Sequence, residues 1–155
     1  MSVADVAAHY DDLDCFYREV WGGHVHHGLW TRGNERPEEA VEQLVRLMAE
    51  QAEISSADAV CDVECGYGAT ARQLVEEYNV DVLGLTVSPR QFEFALEQNN
   101  GDANPRFQLN SWETNGLKAS SFDAVVSIEC LAHVVDKQKF FDEIFRVLKP
   151  GKKWR

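Results

Sequence analysis

Short apolar segments alternate with helical segments over residues 59–148, and this alternation restricts the fold more than any other feature of the sequence. The apolar and β-branched segments that indicate strands are residues 59–63, 80–86, 106–109 and 122–128. Apolar residues at helical spacing follow in residues 70–78, 88–96 and 136–148. Because strands that alternate with helices form a parallel sheet covered by those helices, the sequence predicts a doubly wound α/β fold.

The first third of the chain contains helical signals and one long loop. Residues 5–21 carry apolar and aromatic residues at roughly helical spacing, and a loop rich in Gly, His and Trp follows them. Pro37 suits a first helical turn, and a regular apolar stripe follows it. We therefore predict an amphipathic helix over residues 37–53.

Two later helices have boundary signals. Ser88 and Gln91 have the spacing of a capping box, and a helix after them would face inward with Phe92, Ala95 and Leu96. Asp136 predicts the start of a last helix, and Pro150 and Gly151 predict its end.

Composition and charge argue against several classes of partner. The formal net charge of −11 opposes binding to nucleic acid and to anionic membrane surfaces. No apolar run approaches the roughly 18 residues that cross a membrane. The acidic start of the chain is not typical of a signal peptide, and the four cysteines form no CxxC pair. We expect reduced thiols in a cytoplasmic protein.

The stretch VCDVECGYGATA, residues 60–71, predicts a strand, a glycine-rich bend and a helix. Such a bend lets a ligand approach the backbone near the positive end of the helix dipole. A dinucleotide site needs an acidic residue roughly 20 positions further on, but Thr86 occupies that place. S-adenosylmethionine (SAM) carries no phosphate, and Asp62 before the glycines suits its sites.

Several further motifs have the order found in class I SAM-dependent methyltransferases. The bend at 60–71 resembles their first motif, D-x-G-x-G-x-G. The other segments resemble tocopherol methyltransferases and cyclopropane fatty acid synthases, and they are YDDLDCFYREVWGGHVHHGLW (10–30), GLTVSPRQ (84–91), NSWET (110–114), SFDAVVSIECLAH (121–133) and FFDEIFRVLKPG (140–151). The resemblance implies a Rossmann-like core with an N-terminal helical lid and SAM as the cofactor.

The resemblance also implies cofactor-binding roles for particular residues. Gly66 and Gly68 would lie near the methionine part of SAM, and Asp62 is the acidic residue that precedes the glycines in such sites. The remaining contacts would be Thr86 and Gln91 at the ribose, Trp112 and Glu113 at the adenine, and His26, His27 and Trp30 in a lid. A surface-loop anchor is the alternative role of Trp112.

Glu64 departs from the family pattern because it replaces the first motif glycine. Its side chain would block the space for the methionine end of SAM, repel the SAM carboxylate, or pair with the sulfonium or amino group. Glutamate is strained if this position needs a positive φ.

The end of the chain is the second departure. In the family, a fifth strand begins near KPGKKWR and further strands follow. We therefore expect a single domain over residues 1–155, with a lid segment at 1–36 and a truncated core at 37–155 that lacks the last strands. The strand at 122–128 would be an unpaired edge, and this predicts a homo-oligomer formed through it.

Methyl transfer depends mainly on aligning the acceptor, the methyl group and the sulfur. Glu129 and His133 follow the fourth strand and are candidate catalytic residues, with His133 as a base or substrate contact. The alternative is a buried histidine bonded to backbone. The family often places Glu before this His, where Ala132 stands here. The cluster of His24, His26 and His27 fits a lid, a structural loop or a metal site, and we expect no metal.

The sequence thus favours SAM-dependent methyl transfer to a small, apolar or aromatic acceptor. An inactive or weakly active binding and assembly module is the alternative, motivated by Glu64 and the short C-terminus. A third reading, an NAD-linked oxidoreductase, is opposed by Thr86.

Overall fold

One parallel five-stranded sheet organises the chain in the computed structural model, which describes residues 2–155. The strand order is β3-β2-β1-β4-β5. The strands are β1 Ala59–Val63, β2 Asp81–Thr86, β3 Arg106–Leu109, β4 Phe122–Val126 and β5 Leu148–Trp154. All four strand pairings are parallel, and this confirms the predicted α/β fold.

Six α-helices accompany the sheet within residues 2–155. They are α1 Val3–Asp12, α2 Asp14–Val20, α3 Pro37–Gln51, α4 Ala69–Tyr78, α5 Pro89–Gln98 and α6 Lys137–Val147. Single 3-10 turns follow β3 at Trp112–Thr114 and β4 at Cys130–Ala132. None of the helices described is long and apolar enough to cross a membrane.

The core has two layers, one on each face of the sheet. Successive residues of a strand point to opposite faces, so Val60 belongs to one layer while Cys61 and Val63 belong to the other. The first layer takes residues from α3, α4 and α5, and the second takes Phe140, Ile144 and Val147 of α6. The strand order reverses between β1 and β4, where sheets of this class bind ligands at their carboxyl ends.

The expectation that no strand follows the last helix is wrong, although the helix itself ends within one residue of its predicted bound. Helix α6 ends at Val147, and β5 runs on through Pro150 and Gly151. Gly151 has φ +77°, which glycine adopts without strain. Trp154 at the end of β5 packs edge-on against Phe141, with ring centroids 5.0 Å apart. These tertiary contacts make residues 148–154 a strand, although Pro150 and Gly151 are unfavourable to one.

The prediction of an unpaired edge at the fourth strand is therefore also wrong. Strand β5 pairs with β4 and places Phe122 opposite Leu148 and Val125 opposite Trp154. The homo-oligomer inferred from that edge loses its structural basis.

The prediction for α5 is correct in part. Ser88 accepts a hydrogen bond from the Gln91 N–H at 3.1 Å, but the Gln91 side chain bonds Thr86 instead of completing a capping box. Ala95 is buried, whereas Leu96 is 46% exposed and the expectation that it faces inward is wrong. Gln91 and Ala95 are four residues apart and therefore share the inner face of α5. Leu96 follows Ala95 by one residue, which turns its side chain away from that face.

Candidate functional site

Two adjoining cavities lie at the carboxyl ends of the strands. The first, of about 250 Å³, borders the glycine-rich bend and is named here the turn cavity. The second, of about 330 Å³, borders Trp112 and is named the tryptophan cavity. Four residues border both cavities, and they are Val6, Glu64, Cys130 and His133. The two cavities therefore meet at a shared wall.

The bend after β1 has the predicted conformation of strand, turn and helix. Cys65 donates its N–H to the Leu85 carbonyl at 2.8 Å, which anchors the bend to β2. Gly66 has φ +56° and borders the turn cavity, where an added Cβ would lie 4.0 Å from the Gln91 amide nitrogen. Gly68, the N-cap of α4, lies outside the cavity lining. An added Cβ there would be 2.5 Å from Phe107, so Gly68 permits close packing on β3.

Asp62 is buried at the floor of the turn cavity, with 3% of its surface exposed. Its Oδ2 atom has no hydrogen-bond partner among residues 2–155. Burial, with a smaller contribution from the Glu64 charge, raises the pKa of Asp62 to about 7. An orphaned buried acceptor beside a cavity is a position that a ligand donor can satisfy.

Glu64 is half-buried in the shared wall and has φ +59°. The backbone condition for strain at this residue is therefore met, because glycine adopts this region more readily than glutamate. Within the part of the chain described, the Glu64 carboxylate makes no hydrogen bond and no ion pair. Burial raises its pKa to about 7.

Thr86 lies behind the site and positions a residue that borders it. Thr86 is buried and donates its hydroxyl to the Gln91 Oε1 atom at 2.9 Å. Ser88 in turn donates its N–H to the Thr86 hydroxyl at 3.3 Å. Gln91 borders the turn cavity, whereas Thr86 borders neither cavity.

Trp112 and Glu113 form one side of the tryptophan cavity. Trp112 is 2% exposed, and its indole N–H donates to the Phe140 carbonyl at 3.1 Å. The preceding Ser111 caps the 3-10 turn through the Glu113 N–H. A surface-loop role for Trp112 is wrong, because its ring is held in the second core layer with one part facing the cavity.

The histidines of the predicted lid separate into two groups. His26 borders the turn cavity and contacts His24 at 3.1 Å between ring nitrogens. Burial lowers the pKa of His24 to about 4 and also lowers that of His26, so both are neutral near pH 7. His27 points away and contacts Glu129 at 2.9 Å. Residues 2–155 include no group of three His, Cys, Asp or Glu side chains placed to hold a metal.

Trp30 lies outside both cavities. It is 46% exposed, and its indole N–H donates to the Glu35 carbonyl at 3.2 Å. Its position in this structure therefore fits a loop contact, and its lid role remains a prediction.

Acidic residues of the N-terminal helices fasten the lid to the core. Tyr67 donates its hydroxyl to Asp14 Oδ1 at 2.9 Å, which connects α2 to the glycine-rich bend. Ser88 donates its hydroxyl to Asp11 Oδ1 at 2.5 Å, which connects α1 to the start of α5. Sequence reasoning missed these contacts, because an aspartate on a helix normally indicates a solvated face.

His133 borders both cavities and contacts Tyr10. Tyr10 is one of the aromatic residues in the helical pattern at residues 5–21, and nothing in the sequence indicated this contact. The Tyr10 hydroxyl lies 3.0 Å from His133 Nε2. Burial raises the pKa of Tyr10 to about 12, and burial lowers that of His133. Near pH 7 Tyr10 is therefore protonated and His133 neutral, and Tyr10 donates to Nε2 in the tautomer that carries the His133 proton on Nδ1. The alternative of a buried histidine bonded to backbone is wrong, since the ring is half-buried and bonds a side chain.

The lining as a whole is acidic. Its carboxylates are Asp62, Glu64, Glu113 and Glu129, and no lysine or arginine is among the described residues that border either cavity. A pyrophosphate would bring negative charge next to these groups. A ligand with positive charge would relieve their mutual repulsion. SAM, which carries a sulfonium and an ammonium, therefore fits this lining, and a dinucleotide does not.

The strand order, the glycine-rich bend and the cavity at the switch point define a class I SAM-dependent methyltransferase fold. Residues 1–153 match the family model of mycolic acid cyclopropane synthetase, and the chain belongs to that family. The class predicted from the motifs is therefore confirmed.

One relative and two solved structures illustrate the similarity. The O-methyltransferase resE of Aspergillus sclerotiorum is 32% identical over 97% of this chain and 59% of its own. The [4+2]-cyclase SpnF superposes with a TM-score of 0.93 at 26% identity, over 99% of this chain and 59% of that one. The mycolic acid cyclopropane synthase CmaA1, complexed with SAH and CTAB, gives 0.84 at 28% identity, over 97% and 54%.

Tocopherol O-methyltransferases are also among the relatives, as the sequence resemblance predicted. The chain spans about half to three fifths of the length of resE, SpnF and CmaA1.

Proposed function

We propose that this chain binds SAM across the two cavities and transfers its methyl group to a small acceptor. One observation carries the proposal: a bipartite cavity at the switch point, which residues 2–155 line with carboxylates and with no lysine or arginine. This charge distribution suits a cationic cofactor. When bound, SAM supplies an electrophilic methyl group and leaves as a neutral thioether.

The residues of each cavity suit a different part of the cofactor. Gly66 and the orphaned Asp62 carboxylate would receive the methionine part, with the ammonium as the missing donor for Oδ2. Trp112 and Glu113 would receive the adenine in the tryptophan cavity. Gln91, held by Thr86, would lie on the ribose side. The shared wall then borders the reacting centre.

Tyr10 and His133 would accept the proton of a hydroxyl acceptor. The acceptor proton passes to the Tyr10 oxygen as the Tyr10 proton passes to His133 Nε2, 3.0 Å away. His133 is suited to this role because it is neutral near pH 7 and exposed to both cavities. His27, in its contact with Glu129, would help close the lid above the turn cavity.

We propose an apolar or aromatic acceptor that bears a hydroxyl group. The turn cavity has apolar wall residues beside His133, namely Val25, Ile128 and Ala132. Among the relatives are a tocopherol O-methyltransferase and a 2-methyl-6-phytyl-1,4-hydroquinone methyltransferase, whose names indicate lipophilic phenols. The binding-module alternative is weakened, because the fifth strand that was expected to be missing is present and pairs with β4.

We further propose that the protein acts in the cytoplasm without nucleic acid. Its net charge of −11 opposes phosphate backbones. Burial raises the pKa of Cys61 and Cys130, so both remain protonated thiols at neutral pH.

Calorimetric titration with SAM, followed by transfer of labelled methyl from SAM to simple phenols and hydroquinones, tests the proposal. We expect SAM to bind and NADH to give no heat, because the lining opposes a pyrophosphate. Glu97→Gln is the matched control, since Glu97 is exposed on α5 and borders neither cavity. Absence of SAM binding at millimolar concentration would overturn the proposal.

A further inference from the structure

We propose that Glu64 makes the site select SAM over its demethylated product, S-adenosylhomocysteine, and so limits product inhibition. This inference rests on the proposed function and adds a specificity-determining residue to it. Its basis is the combination of a strained backbone, an unpartnered carboxylate and a place where both cavities meet.

Glu64 lies where the two cavities meet, so it would face the middle of a ligand that occupies both of them. Glu64 borders the turn cavity together with Gly66, and it borders the tryptophan cavity together with Trp112. A ligand with its amino acid part in one cavity and its nucleoside part in the other passes this wall at the atom that joins them. In SAM that atom is the sulfonium sulfur.

Among residues 2–155, no lysine, arginine or histidine forms an ion pair with the Glu64 carboxylate. The other titratable groups that border the cavities come from α1, the loop after α2, β1, the bend, the turn after β3 and the segment after β4. They are Tyr10, His24, His26, Asp62, Cys65, Glu113, Glu129, Cys130 and His133. All are acids or thiols except the three histidines, and burial lowers the pKa of each of them. Arg72 lies outside both linings and donates to the Tyr67 carbonyl.

The backbone of Glu64 adds a cost that no contact within residues 2–155 offsets. Its φ of +59° favours glycine, and its side chain makes no hydrogen bond that would compensate. Strained residues of this kind concentrate where a ligand or reaction uses them. A positively charged group of the ligand would supply the partner that the Glu64 carboxylate lacks.

Methyl transfer changes the charge that faces this wall. SAM and S-adenosylhomocysteine share the same ammonium, carboxylate and adenosine, but the sulfur is positive in SAM and neutral in the product. A carboxylate beside the sulfur therefore attracts SAM and gives the product no equivalent interaction. The ratio of the two dissociation constants isolates this difference, because the shared groups cancel.

The test measures dissociation constants of SAM and S-adenosylhomocysteine by calorimetry for the parent chain, Glu64→Gln and Glu64→Gly. We expect the parent to prefer SAM, and Glu64→Gln to lower that preference about tenfold, chiefly by weakening SAM binding. Glu64→Gly should lower it similarly while relieving the backbone strain, which excludes poor folding as the cause. Glu97→Gln removes an equal charge from an exposed face and should leave the ratio unchanged.

A second measurement uses pH. Because burial raises the pKa of Glu64 to about 7, its charge develops between pH 6 and pH 8. The parent preference for SAM should grow over that interval, and Glu64→Gln should show a smaller change that comes from Asp62. An unchanged ratio in both variants would overturn this inference while leaving the proposed function intact. Failure of the parent to bind either compound would overturn both.

Discussion

Asp62 and Asp123 lie on neighbouring strands of one sheet, yet the structure treats their carboxylates in opposite ways. Asp123, near the start of β4, accepts hydrogen bonds from the Ala59 N–H at 3.0 Å and Lys149 at 2.7 Å, with Lys152 at 3.2 Å. Burial alone would raise its pKa, but these donors hold it at about 2. Asp62, at the carboxyl end of β1, has an unpaired oxygen and a pKa raised to about 7 by burial.

The difference shows which edge of the sheet serves stability and which serves binding. A carboxylate whose donors all come from the protein is complete without a ligand. One that is buried without donors costs stability, and natural structures retain such groups mainly at sites of function. The amino edge of the sheet is therefore satisfied internally, whereas the carboxyl edge is completed by what it binds.

The largest expected effect comes from Asp62→Asn. Removing the buried charge should weaken SAM binding about thirtyfold, or about 2 kcal/mol, because a charge-assisted hydrogen bond to the ligand is lost. Calorimetric titration at pH 8 measures it. Equal SAM affinity in this variant and in the parent would contradict the assignment of Asp62 to ligand binding.

Asp123→Asn is the matched change at the opposite edge. We expect it to lower the free energy of unfolding by about 1.5 kcal/mol, because two lysines and one backbone amide lose a charged acceptor, and to leave SAM affinity unchanged. Urea denaturation at pH 7 measures the stability. For the parent, the Asp123 contribution is complete above pH 4 and is lost as pH falls toward 2. Weakened SAM binding in this variant would show that the two edges are not independent.

The last expected effect is the pH dependence of the stability of the unliganded protein. Asp62 and Glu64 have folded pKa values of about 7, above their ordinary values of 3.8 and 4.5. The folded state then holds more protons than the unfolded state, so stability falls as pH rises from 5 to 8. We expect the parent to lose more stability over this interval than a variant with both Asp62→Asn and Glu64→Gln. The buried Asp62 contributes most of the loss, since solvent screens the half-buried Glu64.

Denaturation of both proteins at the two pH values, with and without SAM, sharpens the comparison further. Saturating SAM should reduce the pH dependence of the parent, because the bound cation favours the ionised carboxylates. A parent that becomes more stable from pH 5 to pH 8 would contradict the assignment of both carboxylates.

Local sequence was a good guide wherever an element carries its own signal. Strands β1 and β3 have the predicted bounds, and α3 begins at the predicted Pro37. Strand β5 was missed because Leu148–Trp154 is rich in lysine and contains proline and glycine, a composition that indicates a stop. Only the pairing with β4 and the contact of Trp154 with Phe141 make it a strand.

The candidate site also has a part that local sequence predicts and a part that it does not. The bend at residues 60–71 could be predicted because Asp62, Gly66 and Gly68 are neighbours in sequence, and their chemistry follows from residue type. The contact of Tyr10 with His133 joins positions 123 residues apart, and that of Asp14 with Tyr67 joins positions 53 apart. No local sequence pattern predicts such pairs, because each contact joins residues from separate segments of the chain.

Residue order by itself determined the alternation of strands and helices, and with it a parallel sheet whose carboxyl edge receives ligands. Only the tertiary structure decided that Glu64 borders two cavities that no lysine or arginine of residues 2–155 lines, and that Thr86 acts through Gln91. The physical reason is that hydrophobic periodicity is a property of short segments. The burial and charge environment of a carboxylate depend on chains brought together from distant positions.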